Sequence, residues 1–219
     1  MLFVYLVRAV AMLLIIPVHE AAHAFVSYKL GDPTAKNYGR LTLNPLAHFD
    51  PFGALAMILA GIGWAKPVPT DVRRFRHPKR DMAISAAAGP VSNLLMAYLG
   101  MILYKLAYYR MPVNSGQLVM LFLSIFISLN ISLAVFNLLP IPPFDGSRIF
   151  LAFLPTRLYF KAMQYERYIM MAVLLLVLIG ALDTPLYYLN QGAQRVLWAA
   201  TGYIEPLLGI GSGATAAAV

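Results

Sequence analysis

The chain has 219 residues, of which 60% are hydrophobic and 12% are charged, and its mean hydropathy of +0.70 excludes an ordinary soluble globular protein. A polytopic membrane protein of this length holds about six membrane-buried helices and little soluble structure. The net charge of +8 would suit a nucleic-acid-binding protein, but clustered Lys and Arg residues in a membrane protein report its topology, so we expect no nucleic-acid partner.

The first predicted element is a helix from residue 2 to about residue 29, which is long enough to cross a bilayer. It contains the sequence His19-Glu20-Ala21-Ala22-His23. Two histidines four apart lie on one face of a helix, about one turn apart, as two imidazole ligands of zinc must. Glu20 would then reach a metal-bound water, and its carboxylate could take the proton as the water attacks a carbonyl. The pattern therefore predicts a metallopeptidase site near the C-terminal end of this helix.

The chain that follows is polar and rich in proline. Residues 40–43 alternate weakly, as a strand would, and residues 52–62 form an apolar run about half as long as a span needs. Residues 63–69, with the sequence Gly-Trp-Ala-Lys-Pro-Val-Pro, favour extended backbone because of their prolines. We expect a small re-entrant extended or β element here, with residues 52–62 dipping into the membrane. The alternative is a loop that only anchors at the interface through Trp64.

Two further uncharged segments are each long enough to cross a membrane, residues 83–104 and residues 118–139. Pro140, Pro142 and Pro143 must end the second of these helices. Together with the first helix, the two segments predict an all-α polytopic membrane protein with a three-helix core.

The C-terminal part of the chain contains two more hydrophobic segments. Residues 169–182 are strongly apolar, whereas residues 186–204 are mixed and either span or lie at the interface. We divide the chain into three regions: a core in residues 1–155, transmembrane or interfacial helices in residues 156–208, and a disordered tail in residues 209–219.

A catalytic zinc site requires a third protein ligand, and a chain with zero cysteines can supply only histidine or carboxylate. Asp145 is the best candidate, because it follows the proline run, where non-helical backbone can line a cavity. Asp145 follows the C-terminal end of the helix predicted for residues 118–139, and the histidines lie near the C-terminal end of the first helix. The two meet at one depth only if an odd number of spans separates these helices, and the single span 83–104 satisfies this condition. The alternative is that Asp145 is an ordinary helix cap or turn residue.

The distribution of basic residues predicts the orientation. Residues 29–81 contain nine Lys or Arg residues, whereas the loop on the opposite side contains Lys105 and Arg110. Because Lys and Arg are enriched in cytoplasmic loops, we expect a multi-pass protein of the prokaryotic plasma membrane with its site near the cytoplasmic face.

Two motifs together resemble those of a known family. The sequences HEAAH at residues 19–23 and NLLPIPPFDG at residues 137–146 match the paired site-2 protease signatures, HExxH and NxxPxPxxDG, at each defining position. Gly89-Pro90-Val91-Ser92-Asn93 resembles the middle core helix of that family, and residues 63–69 resemble its short prokaryotic members, which lack a PDZ domain. The similarity covers residue 1 to about residue 155.

The resemblance implies an intramembrane metalloprotease that hydrolyses peptide bonds in transmembrane segments with one zinc ion. It implies that His19, His23 and Asp145 are the zinc ligands and that Glu20 is the general base. It also implies that Asn137 is an oxyanion donor near the scissile carbonyl and that Asn93 lines the substrate cleft, although such asparagines commonly just join helices.

A substrate helix must unwind before it is cut, and an extended segment near the site could hold it by edge pairing. This assigns substrate binding to five further residues: Gly63, Trp64, Ala65, Lys66 and Pro67. The expected partners are the transmembrane helix of a substrate protein and the lipid bilayer, and the sequence does not determine the oligomeric state.

Two other functions stay open on the sequence alone. Intramembrane His, Glu and Asp residues also mark the ion pathways of transporters, although a transporter would be expected to show inverted repeats and the sequence has none. The second alternative is a scaffold that binds helices without cutting them.

Overall fold

The computed structural model describes residues 2–50 and 66–210, and the regular secondary structure in these residues consists of helices. In chain order they are α1 (Leu2–Lys29), α2 (Thr34–Asn37), α3 (Pro45–His48), α4 (Pro78–Arg110), α5 (Val113–Asn137), α6 (Asp145–Leu151), α7 (Thr156–Gln164), α8 (Glu166–Leu178), α9 (Asp183–Ala200) and α10 (Ile204–Leu207), with a 3₁₀ turn at Val72–Arg74. Among them, α1, α4 and α5 are long and apolar enough to cross a membrane. The prediction of an all-α polytopic membrane protein with a three-helix core is confirmed.

Small residues line the contacts between the three long helices. Ala11, Ala97 and Ala134 are each 0% exposed. Small side chains let helix backbones approach closely, which is how helices associate where lipid removes the hydrophobic driving force. The outward faces carry large exposed apolar side chains such as Leu95 and Leu118, as expected for surfaces that contact lipid.

Contacts between α1 and α4 show that these helices run in opposite directions. His19 lies beside Asn93, whereas Ser27, two turns further along α1, hydrogen bonds to Ser85 at 2.6 Å. The chain then turns back between α4 and α5 after Met111 and Pro112. Both α1 and α5 therefore end on the side where α4 begins, as the sequence argument requires for the histidines and Asp145 to meet.

The polar loop between α1 and α4 is held together by a buried guanidinium group. Arg40 is 5% exposed and donates hydrogen bonds to three backbone carbonyls, those of Ala47, Lys66 and Pro67. The strand expected at residues 40–43 is wrong. The physical reason is that the Arg40 side chain points inward, where it satisfies carbonyls that a β-ladder would otherwise pair.

The two flanks of the predicted re-entrant segment lie side by side, since Lys66 N donates to His48 O at 2.9 Å. The chain on either side of residues 51–65 therefore meets at one place. The predictions for residues 52–62 and for Gly63, Trp64 and Ala65 lie outside the described residues. Lys66 to Pro69 has no regular secondary structure.

The C-terminal helices pack back on the core. The segment formed by α9 and α10 makes an angle of 87° with α8. Ala193, Leu197 and Trp198 of α9 contact a buried cluster of α4 and α5 residues. Lys105, expected in a loop, lies within α4 and is paired with Glu205 of α10 at 2.7 Å. The division of the chain near residue 155 stays a prediction.

Candidate metal centre

Three potential ligand atoms converge between α1 and the start of α6. His19 Nε2 and His23 Nε2 lie 3.1 Å apart. Asp145 Oδ2 lies 3.4 Å from His19 Nε2 and 3.2 Å from His23 Nε2. The structure therefore brings the helical histidine pair and the distant aspartate together, although 122 positions (145 − 23) separate His23 from Asp145.

The loop before Asp145 explains how the carboxylate reaches this place. Phe144 packs against Phe136 of α5 with ring centroids 4.2 Å apart, which folds the proline-rich loop back on the end of α5. A Cβ atom at Gly146 would lie 2.3 Å from Leu138 O. Only glycine therefore allows α6 to begin so close to the end of α5, with Asp145 in its first turn.

The donor set fits a divalent metal ion. Zinc bonds of about 2.0–2.2 Å in a tetrahedral site place ligand atoms about 3.3–3.6 Å apart, close to the three distances found between these atoms. Asp145 Oδ2 is buried without a hydrogen-bond partner among the described residues, and coordination to a metal ion would satisfy it. Two imidazoles and a carboxylate form a ligand set that zinc takes in hydrolases.

The electrostatics of the site also favour a cation. Burial raises the pKa of Asp145, but hydrogen bonds and charge from the two imidazoles that face it, when these are protonated, outweigh this effect and lower the pKa to about 2. The half-buried Glu20 has no salt-bridge partner within the described part of the chain. With neutral imidazoles the site therefore carries two carboxylates and no Lys or Arg to balance them.

Each imidazole is also held from behind, by α4. His23 Nδ1 lies 2.8 Å from Ser85 O, so Nδ1–H donates to this carbonyl and leaves Nε2 free to bind metal. The Asn93 amide nitrogen lies 3.0 Å from His19 Nδ1, while Asn93 Oδ1 is buried without a partner. A half-turn of the amide lets Oδ1 accept from Nδ1–H, as a metal-ligating imidazole requires.

Gly89 lets α4 approach the imidazoles. A Cβ atom there would lie 2.2 Å from His23 Nε2 and 2.5 Å from His19 Cε1, distances that real Cβ atoms do not adopt. Gly89 belongs to the segment that resembles the middle core helix of the family, but the sequence does not indicate this role for it. Ser85 could not be found from the sequence, because its contact is made by a backbone carbonyl, which any residue type supplies.

The remaining predicted site residues lie in different surroundings. Asn93 is 0% exposed behind His19, so its side chain holds the imidazole and does not line an open cleft. Asn137 donates from its amide to Leu133 O at 3.0 Å, within its own helix. Lys66 and Pro67 are exposed, and Gly63, Trp64 and Ala65 lie outside the described residues.

The structure is that of a helical membrane protein in which two histidines and an aspartate converge as a candidate metal centre. A family model described as peptidase family M50 matches residues 112–180. A Bacillus subtilis (strain 168) protein named as a zinc metalloprotease, YwhC, is 42% identical over 194 residues, which cover 87% of this chain and 89% of the relative. No solved structure matches the chain.

Two mycobacterial relatives are more distant. Proteins named as the zinc metalloprotease Rip2 from Mycolicibacterium smegmatis and Mycobacterium tuberculosis are 33% and 31% identical over 137 residues. The match covers 58% of this chain and 49% of each of these relatives.

The chain belongs to peptidase family M50, because it resembles YwhC over nearly the whole length of both proteins. The resemblance to site-2 proteases and the prediction of a peptide-cleaving hydrolase are confirmed. The region that matches the family model contains Asp145 and the proline-rich loop, whereas the histidine pair lies before it.

Proposed function

We propose that this protein is an intramembrane zinc endopeptidase that hydrolyses peptide bonds in the transmembrane segments of other proteins. The convergence of His19, His23 and Asp145 within the helical core carries the proposal. Membership of a peptidase family disfavours a transporter. The cleavage assay below distinguishes a peptidase from a scaffold that binds helices without cutting them.

The position of the centre along α4 supports cleavage below the membrane surface. Gly89, which contacts both imidazoles, follows Lys79 in the first turn of α4 by ten positions (89 − 79). Ten helical residues rise about 15 Å at most along the membrane normal, which places the centre below the surface of a hydrocarbon core of about 30 Å, in the half nearer the start of α4. A bond cut at this depth lies inside a membrane-spanning helix of the substrate.

The residues have distinct roles in this proposal. His19, His23 and Asp145 hold the zinc ion, which when bound supplies Lewis-acid activation of water and of the scissile carbonyl. Glu20 takes the proton of the attacking water and delivers it to the leaving amine. Its half-buried carboxylate is open for this task, since it has no salt-bridge partner in the described residues.

Substrate contacts belong to residues around this centre. Asn137 has a second amide N–H beyond the one that donates to Leu133 O, and this N–H is the candidate oxyanion donor. For Gly63, Trp64, Ala65, Lys66 and Pro67 we propose that they pair with the unwound substrate. The Arg40 hydrogen bonds to the carbonyls of Lys66 and Pro67 hold these two residues in place and occupy those carbonyls, so Lys66 and Pro67 contact the substrate through their exposed side chains.

The orientation in the membrane follows from charge. The end of the bundle where α4 begins carries Arg73, Arg74, Arg76, Lys79 and Arg80, so we place this end, and the metal centre near it, on the cytoplasmic side of a prokaryotic plasma membrane.

The test is a cleavage assay with detergent-purified protein and single-span membrane proteins as substrates. Wild-type protein should cut within the span, a zinc chelator should stop cleavage, and added zinc should restore it. Glu20→Gln protein should retain zinc and lose cleavage by at least about 100-fold, the usual contribution of a general base. Undiminished cleavage by Glu20→Gln protein would contradict the assignment of the base. Cuts only in soluble peptides would contradict the assignment of the substrate class.

A further inference from the structure

A groove separate from the metal centre runs between the first part of α4 and α6 with the turn that follows it. Its volume is about 470 Å³, and its lining residues are Lys79, Arg80, Ala83, Ile84, Ala87, Ile149, Ala152 and Phe153. We refer to it as the α4–α6 groove. Two cations stand at one end, and the rest of the lining is apolar.

The charged end of the α4–α6 groove is positive on balance. Lys79 Nζ donates to Leu154 O and lies 5.8 Å from the centre of the Tyr159 ring. No carboxylate pairs with Lys79 in the described part of the chain. Arg80, in contrast, forms an ion pair with Asp81 at 2.9 Å. The groove therefore presents one uncompensated ammonium group at its mouth.

The apolar part of the groove extends along the helix from this charge. Ala87 follows Lys79 by eight positions (87 − 79), a rise of about 12 Å, which is most of one hydrocarbon leaflet of about 15 Å. Phe153 is 85% exposed and Ile84 is 45% exposed on the walls. A ligand that fits this arrangement has an anionic head and an apolar tail about one leaflet long.

We propose that the α4–α6 groove binds an anionic phospholipid of the leaflet nearest the start of α4, with its phosphate at Lys79 and one acyl chain along the apolar lining.

The location of the groove links lipid binding to the metal centre. One wall is α4, which carries Gly89 against the imidazoles, and the other wall includes α6, which begins at Asp145. A lipid in the groove touches both helices within one or two turns of these residues. Its binding therefore stabilises the packing that holds the Asp145 carboxylate beside the histidines.

The experiment reconstitutes the full-length protein in lipid nanodiscs with a photoreactive phosphatidylglycerol or a photoreactive phosphatidylcholine at equal concentration. After irradiation, mass spectrometry maps the labelled peptides. Phosphatidylglycerol should label residues around Ala83 and Phe153 more strongly than phosphatidylcholine. Lys79→Gln should lower this labelling about fivefold, which corresponds to about 1 kcal/mol per basic residue near an anionic surface.

Matched variants separate lipid binding from loss of fold. Lys79→Arg keeps the charge and should restore labelling, while Lys29→Gln removes an exposed lysine at the same end of the bundle and should leave labelling unchanged. Equal labelling by the two lipids, or unchanged labelling of Lys79→Gln protein, would overturn the proposal. So would displacement of the label by a substrate helix. Because labelling does not require catalysis, Glu20→Gln protein should label like wild type, and failure of the proposed peptidase activity would not affect this result.

Discussion

Two buried polar clusters lie on opposite halves of α4, and they differ in charge balance. Near the start of the helix, the metal centre contains the carboxylates of Asp145 and Glu20 but no Lys or Arg partner among the described residues. Near the end, Lys105 and Glu205 are 1% and 3% exposed and form an ion pair. Lys105 also donates to Trp198 O and Thr201 O and faces the Trp198 ring at 4.3 Å.

This difference in charge balance distinguishes a buried cluster with a function from one that only joins helices in a membrane protein. A buried cluster whose charges cancel joins helices and requires nothing from outside. A buried cluster with excess negative charge requires a cation, because unpaired carboxylates are costly to bury. By this criterion the Lys105 cluster attaches α10 to the core, whereas the histidine cluster is the proposed ion-binding site.

The largest effect is expected at Asp145, where one substitution tests directly whether the excess negative charge of the histidine cluster binds a cation. Asp145→Ala removes one of three ligands and half of the excess negative charge, so the purified protein should lose its zinc and all measurable cleavage. The measurement is zinc content by mass spectrometry, with Asp183→Ala in the first turn of α9 as the matched control. A full zinc complement in Asp145→Ala protein would show that the carboxylate is not a ligand.

The next largest effect is expected at Gly89. Gly89→Ala places a methyl group within 2.2 Å of His23 Nε2, so an imidazole or α4 must move by about 1 Å, which costs about 100-fold or more in kcat/KM. Gly192→Ala is the matched control, because its Cβ would meet nothing within 4 Å. If Gly89→Ala protein retains wild-type zinc affinity and cleavage, then α4 does not form the wall of the site.

A smaller effect is expected at Asn93, which positions His19 from behind. Removing a hydrogen-bond partner of a ligating imidazole typically costs about 10- to 100-fold in metal affinity, and Asn93→Ala should lower zinc affinity by this amount. Competition with a zinc-binding dye measures the change. Asn190→Ala serves as a control, since that amide donates only within its own helix to Leu186 O. Equal effects of the two substitutions would contradict a specific role for Asn93.

The smallest effect on zinc binding and cleavage is expected at the Lys105 cluster. Lys105→Met or Glu205→Gln leaves one buried polar partner alone, which costs about 3–5 kcal/mol of stability, and should lower the thermal unfolding temperature while zinc content stays unchanged. The double substitution should unfold at a higher temperature than either single variant, because no uncompensated charge remains. Loss of zinc from the double variant would erase the distinction between the clusters.

The residues whose convergence could be predicted from the sequence are those whose signal is local or topological. The histidine pair follows from helical spacing, and Asp145 follows from counting spans between two helix ends. Gly89, Ser85 and Arg40 could not be placed in the same way. Their contacts depend on how closely α4 approaches α1 and on which backbone carbonyls lie nearby. Neither property can be predicted from the spacing of residues in the sequence.

Lys105 shows a second limit of sequence reasoning. It was interpreted as a loop charge that reports topology, because it follows an uncharged run of 22 residues. In the structure α4 continues to Arg110, and Lys105 is buried against Glu205, 100 positions later (205 − 105). A charge whose partner lies that far along the chain cannot be distinguished from a solvated one until the helices are packed.

The separation between His23 and Asp145 has a consequence for biosynthesis. A ribosome adds about 5–20 residues per second, so the 122 positions between the two residues take about 6–24 s to make. During this interval the newly made first helix already displays both imidazoles, while their carboxylate partner does not yet exist. Stable capture of the ion must wait until the third core helix has been inserted, and the enzyme is therefore inactive throughout the early part of its own synthesis.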